Sequence, residues 1–169
     1  PNSDSNGLVL SASLGQPTPP NGKKLTVCVQ ARQFIFRYTY GPNCANNAFT
    51  GKLPYSYTDM VVPANTTVVL VIQATDVIHS WWVPSLGGKV DAVPGYTTYT
   101  WFKAPHAGSV YTGHCAQLCG RQHAAMLARV KVVTPDQYQQ WVSQQSSMIA
   151  AANSQVTQLR QILTANGNL

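Results

Sequence analysis

The stretch that decides the fold comprises residues 113–126 and reads GHCAQLCGRQHAAM. It carries two Cys, one His and one Met in the spacing C-x3-C-x3-H-x2-M, and it connects two strand-like runs, 109–114 and 127–133. Soft thiolate and thioether ligands select copper over harder ions, and imidazole suits copper in either redox state. The segment therefore predicts a metal-binding loop between two late strands of a β-rich domain.

The candidate ligands in this loop are its two Cys, its His and its Met: Cys115, Cys119, His123 and Met126. A further ligand must come from elsewhere, and His79, which ends the strand-like run 68–77, is the candidate. A blue single-copper site needs two His, one Cys and a weak axial Met, so the second Cys is left over. Two thiolates can instead bridge two coppers, with one His for each copper and with Met126 and a main-chain carbonyl as weak ligands. This arrangement predicts fast one-electron relay without bond making.

Other interpretations of the loop stay open. Cys115 and Cys119 can form a short-loop disulfide, with His123 and Met126 as ordinary packing residues. Structural zinc does not use Met, which disfavours a zinc site. The joint occurrence of these side chains with His79 upstream favours copper.

Composition restricts the class of protein. The 169 residues are 44% hydrophobic but only 9% charged, against roughly 25% in typical soluble domains. The chain has five Asp, no Glu and a net charge of +6, yet its eleven basic residues are scattered, which argues against nucleic-acid binding. Carboxylates lose their favourable interactions as pH falls, so their scarcity suggests an acidic environment.

The chain has no apolar run of 18 residues and no signal-peptide pattern, and it begins with Pro1. Any membrane anchor is therefore expected upstream, absent from this chain.

Three regions are predicted along the chain. Residues 1–24, rich in Ser, Asn, Gly and Pro, are typical of a flexible arm or linker. Residues 25–133 are typical of a β-sandwich or Greek-key barrel. The predicted strands are 25–30, 33–40, 67–74, 97–103, 109–114 and 127–133. Residues 134–169 predict a helical tail that begins at Thr134, with apolar residues at a 3.6-residue period, although fraying of its last 20 residues is an equal alternative.

Two further segments, 76–84 (DVIHSWWVP) and 86–95 (LGGKVDAVPG), together with the metal loop, closely resemble the CuA domain of cytochrome c oxidase subunit II. The resemblance covers about residues 25–133. It implies an all-β fold, a cupredoxin-like Greek-key β-barrel, here followed by the helical tail. It also implies two copper ions bridged by Cys115 and Cys119. The remaining ligands would be His79 on one copper, His123 on the other, and Met126 and the Gln117 carbonyl as weak ligands.

The same resemblance implies a function and a location. In this family the centre accepts electrons from a soluble donor and passes them to haem in subunit I, where oxygen is reduced to water. The domain would then lie on the periplasmic face of the cell membrane, as one subunit of a terminal oxidase.

The chain departs from the family pattern in three places. Gln117 stands where the family usually has a Glu that helps to hold magnesium, and its neutral amide predicts weaker magnesium binding. Phe34 replaces the Trp through which electrons enter; Phe34 and Phe36 are candidate docking residues, although alternation along 33–40 favours core packing. The family's acidic docking surface is missing, which predicts a neutral or acidic donor, or an apolar docking patch.

The remaining Cys and His residues have less specific interpretations. Cys28 and Cys44 form an even pair in a domain facing an oxidising compartment, which favours a disulfide over two free buried thiols. His106 lies in a Pro- and Gly-containing turn and is expected to be solvated. His114 precedes Cys115 on a strand, so its side chain should point away from that residue.

A different class of function is a copper chaperone of the Cys-x-x-x-Cys type. Such chaperones have a thioredoxin-like fold with alternating helices and strands, whereas this chain has a mainly β pattern with a nearby His123 and Met126. A nitrous oxide reductase would share the copper centre but needs a propeller domain that 169 residues cannot hold.

Overall fold

A computed structural model describes residues 22–41, 43–47 and 50–166. Most of the predicted arm, residues 1–21, lies outside the described residues. The strands and helices follow in chain order: β1 Lys24–Arg32, β2 Ile35–Tyr40, α1 Cys44–Asn47, β3 Tyr55–Tyr57, β4 Asp59–Pro63, β5 Thr67–Ala74, β6 His79–Trp82, β7 Val90–Ala92, β8 Thr98–Lys103, β9 Val110–Cys115, β10 Leu127–Val133 and α2 Pro135–Ala165.

The strands form two five-stranded sheets, ordered β3-β2-β1-β5-β8 and β4-β10-β9-β6-β7. Pairs β1–β5 and β4–β10 are parallel, and the other pairs are antiparallel. The prediction of a mainly β fold with a helical tail is confirmed. All six predicted strands are present within two residues of their expected ends, and four short strands (β3, β4, β6 and β7) were not predicted.

The hydrophobic core contains aromatic residues of both sheets. Trp81 of β6 stacks on Phe102 of β8 with ring centroids 6.2 Å apart, and its indole N–H donates to the hydroxyl of Tyr38 at 3.2 Å. Phe36 is 0% exposed among these residues. The expectation of a docking contact at Phe36 is therefore wrong, because alternation along β2 turns that ring into the core.

A disulfide joins Cys28 of β1 to Cys44 of α1, and both residues are buried. The bond closes a loop of 16 residues that contains all of β2. It therefore links the segment that follows β2 to the centre of its own sheet.

An ion-pair cluster joins β4 to β10 in the other sheet. The carboxylate of Asp59 lies 2.6 Å from Nε of Arg129 and 2.6 Å from Nζ of Lys131. Partial burial alone would raise the pKa of Asp59, but the hydrogen bonds and charges of these two residues outweigh it. The pKa of Asp59 consequently lies below its ordinary value.

Helix α2 begins with a capping box. The Thr134 side chain accepts a hydrogen bond from the backbone N–H of Gln137, and the Gln137 side chain accepts one from the backbone N–H of Thr134. Its first turns pack on the domain, where Trp141 makes an edge contact with Tyr40 at 4.8 Å. Three apolar residues of its second half are about half exposed: Val156, Leu159 and Ile162. Within the described ranges, no helix has both the length and the hydropathy needed to span a bilayer.

Candidate metal centre

The neighbouring strands β6 and β9 bring His79 next to Cys115. They pair antiparallel with Trp81 opposite Cys115, and His79 lies on the same face of β6 as Trp81. The expectation that His79 ends a strand over 68–77 is wrong, since β5 ends at Ala74 and His79 begins β6. The bend between the two strands carries the chain from one sheet to the other, and this crossing brings His79 to β9.

Gly113 allows this close approach of the strands. A Cβ atom at this position would overlap the carbonyl oxygen of Trp82 and lie 2.7 Å from Cα of Val83. Both obstacles are backbone atoms that cannot rotate away. Glycine is therefore required two residues before Cys115 for β6 to reach β9.

The metal loop leaves β9 at Cys115 and returns at Met126, and a backbone hydrogen bond closes it. The Cys115 N–H donates to the Met126 carbonyl at 2.9 Å. A short 3-10 turn, His123–Ala125, precedes Met126 and turns His123 back towards the two thiols. The loop thus places Cys, His and Met side chains around one point at the edge of the core.

The donor atoms converge on the two sulfurs. Sγ of Cys115 lies 3.9 Å from Sγ of Cys119, and both thiols are free, so the short-loop disulfide is not formed. Nδ1 of His79 lies 3.9 Å from the Cys115 sulfur, and the Gln117 carbonyl oxygen lies 3.3 Å from it. The Cys119 sulfur is contacted by Nδ1 of His123 at 3.6 Å and by Sδ of Met126 at 4.0 Å.

Four of the ligand side chains are buried, and the two thiols differ in acidity. His79, Cys115 and Met126 are 0% exposed and Cys119 is 6% exposed. Burial alone would raise the pKa of Cys115, but hydrogen bonding to His79 and to nearby backbone and imidazole groups outweighs it and lowers the pKa to about 6. Burial and the neighbouring Cys115 thiolate raise the pKa of Cys119 to about 11. Cys115 is thus the thiol that loses its proton first, and its charge opposes ionisation of Cys119.

Asp76 orients His79, a role that the sequence interpretation missed. Nε2 of His79 lies 2.8 Å from a carboxylate oxygen of Asp76, and a carboxylate only accepts, so Nε2 carries the proton. Backbone N–H groups of Gln33 and Val77 also donate to Asp76, and these bonds outweigh partial burial to lower its pKa. Nδ1, which faces Cys115, is therefore the ring nitrogen left to bind a metal, as in carboxylate–histidine–metal arrangements. The signal in the sequence is an Asp three residues before the His.

The other predicted residues lie around this centre. Phe34 is half-buried and packs beside Gly120, where an added Cβ would meet its ring at 2.9 Å. His114 is exposed on the face of β9 opposite to Cys115, with its ring edge against Trp82 at 5.7 Å. His106 and the side chain of Gln117 are also exposed.

The donor set fits copper. The ligand atoms of His79, Cys115 and Cys119 all lie within 4.8 Å of one another. Two thiols and a thioether in a buried pocket are soft ligands of the kind that copper prefers, imidazole nitrogens also suit copper, and the carbonyl oxygen is a harder and weaker donor. Two facing β-sheets with such a loop at one end define the class of cupredoxin-like metal domains.

Comparison with known proteins agrees with this class. The family model for the periplasmic domain of cytochrome c oxidase subunit II matches residues 50–133. Subunit 2 of cytochrome c oxidase from Alkalihalophilus pseudofirmus is 36% identical over 134 residues, which are 79% of this chain and 36% of that protein. The subunit 2 from Cereibacter sphaeroides is 49% identical over 87 residues, 52% of this chain and 28% of that protein. The chain thus spans only about a third of the length of these curated relatives.

Solved structures show the same domain. The periplasmic domain of subunit II, CoxB, from Bradyrhizobium japonicum superposes with a TM-score of 0.66 at 28% identity, covering 76% of this chain and 98% of that one. A structure of a mixed disulfide intermediate between the thioredoxin-like protein TlpAs and CoxB superposes with a TM-score of 0.62, also at 28% identity, covering 79% of this chain and 99% of that one. The chain belongs to the family of periplasmic domains of cytochrome c oxidase subunit II.

Proposed function

We propose that this chain is the electron-relay domain of a terminal oxidase and that it holds a binuclear copper centre. The observation that carries the proposal is the convergence on Cys119, whose sulfur has a second thiol, an imidazole nitrogen and a thioether within 4.0 Å. A single-copper site uses one Cys, so the second buried free thiol is explained by bridging.

The ligand roles follow the contacts of each side chain. Cys115 and Cys119 would be shared by the two coppers, His79 and His123 would each bind one, and Met126 and the Gln117 carbonyl would be weak ligands. When bound, the two coppers supply a one-electron carrier whose charge is shared through the thiolates. Asp76 holds the His79 imidazole in a fixed orientation, and the burial of His79, Cys115 and Met126 excludes water from that side of the centre, which keeps structural change on reduction small.

The role of Cys119 is tested by Cys119→Ser. We expect the wild-type chain to bind two coppers and the variant to bind one, with an EPR signal from a single copper nucleus. Ser80→Ala, which changes a buried hydroxyl beside His79 that has no hydrogen-bond partner among the described residues, serves as the control and should retain both coppers. Retention of two coppers by the Cys119 variant would contradict the bridging role.

We propose that electrons arrive from a neutral or acidic soluble donor at an apolar patch beside the centre. Leu118, inside the metal loop, is 78% exposed, and Ile78, next to His79, is 45% exposed. Phe34 is half-buried at the same end of the domain and Arg121 is exposed. An apolar surface with the basic Arg121 beside it suits a partner whose docking face is apolar with an acidic rim.

The donor proposal is tested by salt dependence. Reduction of the copper-loaded chain by an acidic blue copper protein should become slower as ionic strength rises. Reduction by a basic cytochrome c should already be slow at low ionic strength and should not become slower as ionic strength rises. Leu118→Ser should slow reduction by the acidic donor more than Leu127→Ser, a similarly apolar but less exposed site on β10. Fast reduction by basic cytochrome c that falls steeply with salt would overturn the proposal.

We further propose that the domain acts beside subunit I, passing electrons to haem for the reduction of oxygen to water. The exposed Gln117 side chain would face that subunit and bind magnesium more weakly than the carboxylate usual in the family. The copper domain spans 25–133, preceded by a linker at 1–24 and followed by the helical tail at 134–169. An anchor upstream would hold it on the periplasmic side of the membrane.

We also propose that the domain works in an acidic compartment. Among the described residues, Asp59 and Asp76 have lowered pKa values, so their interactions persist further into acid than those of an ordinary carboxyl. Retention of fold and copper at about pH 3, below the ordinary Asp pKa of about 3.9, would support this, and unfolding between about pH 4 and pH 5 would contradict it.

Copper loading requires both thiols in the reduced state. Since a related domain forms a mixed disulfide with a thioredoxin-like protein, we propose a periplasmic dithiol protein as a second partner that reduces an oxidised Cys115–Cys119 pair. A chaperone role for the chain itself is less favourable, because the buried ligands would have to open before copper could be handed on.

A further inference from the structure

We infer that Gln33, in the turn between β1 and β2, is a positioning residue that ties together the two segments supplying the copper ligands. This inference rests on the copper centre proposed above. It concerns the chain's own contacts, which are present in the protein without metal.

Gln33 makes one hydrogen bond to each segment. Its side-chain Nε2 donates to the carbonyl of Cys119 at 2.6 Å, inside the metal loop. Its backbone N–H donates to Asp76 at 2.7 Å, and the same carboxylate accepts from His79. A single residue of one sheet thus contacts both the loop that carries the bridging thiols and the carboxylate that orients an imidazole.

Strand pairing alone does not hold the Cys119 side of the centre. The β6–β9 ladder has two residue pairs and ends at Cys115, and one further bond runs from the Ala116 N–H to the Ser80 carbonyl at 2.9 Å. Cys119 lies beyond that ladder. The bond from Gln33 restrains its peptide from the opposite sheet.

Gly120 is adapted to this contact. Its φ is +135°, and a Cβ there would lie 3.0 Å from Nε2 of Gln33 and 2.9 Å from the Phe34 ring. A side chain would therefore push the β1–β2 turn off the metal loop. Glycine at 120 allows the turn to approach closely enough for the bond to Cys119.

The hydrogen bond from Gln33 affects the position of the Cys119 sulfur. Its carbonyl and its Sγ belong to the same residue, so a restrained peptide restricts where the sulfur can point. Loss of the donor should change the angles at the bridging thiolate, and with them the distribution of the unpaired electron over two coppers. That effect is distinct from loss of overall stability.

The experiment compares Gln33→Leu, which keeps much of the side-chain volume but removes the donor, with Gln33→Ala, which removes both. Gln73→Leu is the matched control, because it deletes a similar bond, 2.8 Å to Thr97, on the same sheet away from the metal loop. Three quantities are measured: copper affinity by chelator competition, the copper hyperfine pattern, and the alkylation rate of the two thiols in metal-free protein.

Both Gln33 variants should bind copper about tenfold more weakly, as typical for loss of an outer hydrogen-bond partner. Both should also alter the hyperfine pattern and expose the metal-free thiols to faster alkylation, while the Gln73 variant changes none of the three. Wild-type behaviour of Gln33→Leu, or equal effects in the Gln73 variant, would overturn the inference. If the wild type bound no copper, the proposed function would fail, and the alkylation rates alone would still decide the role of Gln33.

Discussion

The substitution Gly113→Ala tests how strand contact builds the metal centre. An added Cβ would lie 2.7 Å from Cα of Val83, whereas ordinary contact begins at 3.4 Å. The neighbouring backbone must therefore move by at least about 0.7 Å, the difference between these distances. Since β6 carries His79 and β9 carries Cys115, this movement acts directly on their 3.9 Å contact.

Forced overpacking of this kind costs about 1–3 kcal/mol. For a domain of this size, about 2 kcal/mol lowers Tm by about 4–8 °C. Differential scanning calorimetry of the metal-free protein should show this loss, and copper titration should show weaker binding. Gly108→Ala is the control, because its Cβ would meet nothing within 4 Å although its φ is +88°. It should lose about 1 kcal/mol from backbone strain and keep its copper affinity.

Unchanged Tm and unchanged copper affinity in Gly113→Ala would refute the reasoning. Equal loss of copper affinity in Gly113→Ala and Gly108→Ala would also contradict it, since only the first substitution touches the strand that carries His79.

Three further predictions concern residues around the core. Asp76→Ala should weaken copper binding about 10–100-fold in a chelator competition, because His79 loses the acceptor that fixes its tautomer. The double substitution Cys28→Ser with Cys44→Ser should lower the free energy of unfolding by about 3 kcal/mol, given the loop it closes, and leave the copper spectrum unchanged. Asp59→Asn should lower the free energy of unfolding, measured with denaturant at pH 7, by about 1 kcal/mol. Because the pKa of Asp59 is lowered in the folded state, this difference should be complete above the ordinary pKa of about 3.9 and vanish as pH falls through the folded-state pKa. A difference that is constant with pH would contradict the ion-pair explanation.

The ligands of the metal loop could be predicted because four of them lie close together in sequence. Because these ligands are only a few residues apart, closing one short loop is enough to bring their side chains around one point. The long strands could be predicted for a similar reason, since β-branched and aromatic runs of six or more residues carry a clear pattern.

Contacts between distant segments could not be predicted in this way. The bond from Gln33 to Cys119 spans 86 positions, and neither residue carries a local sign of it. Strands of three to five residues, such as β4 and β6, are too short for alternation to separate them from turns. For this reason the sequence predicts His79 at the end of a strand, whereas in the structure it begins β6.

The copper centre itself is tested most directly by copper analysis and EPR of the oxidised wild-type protein. We expect two coppers per chain and a hyperfine pattern from one unpaired electron shared by two equivalent copper nuclei. One copper per chain, with the pattern of a single nucleus, would contradict it.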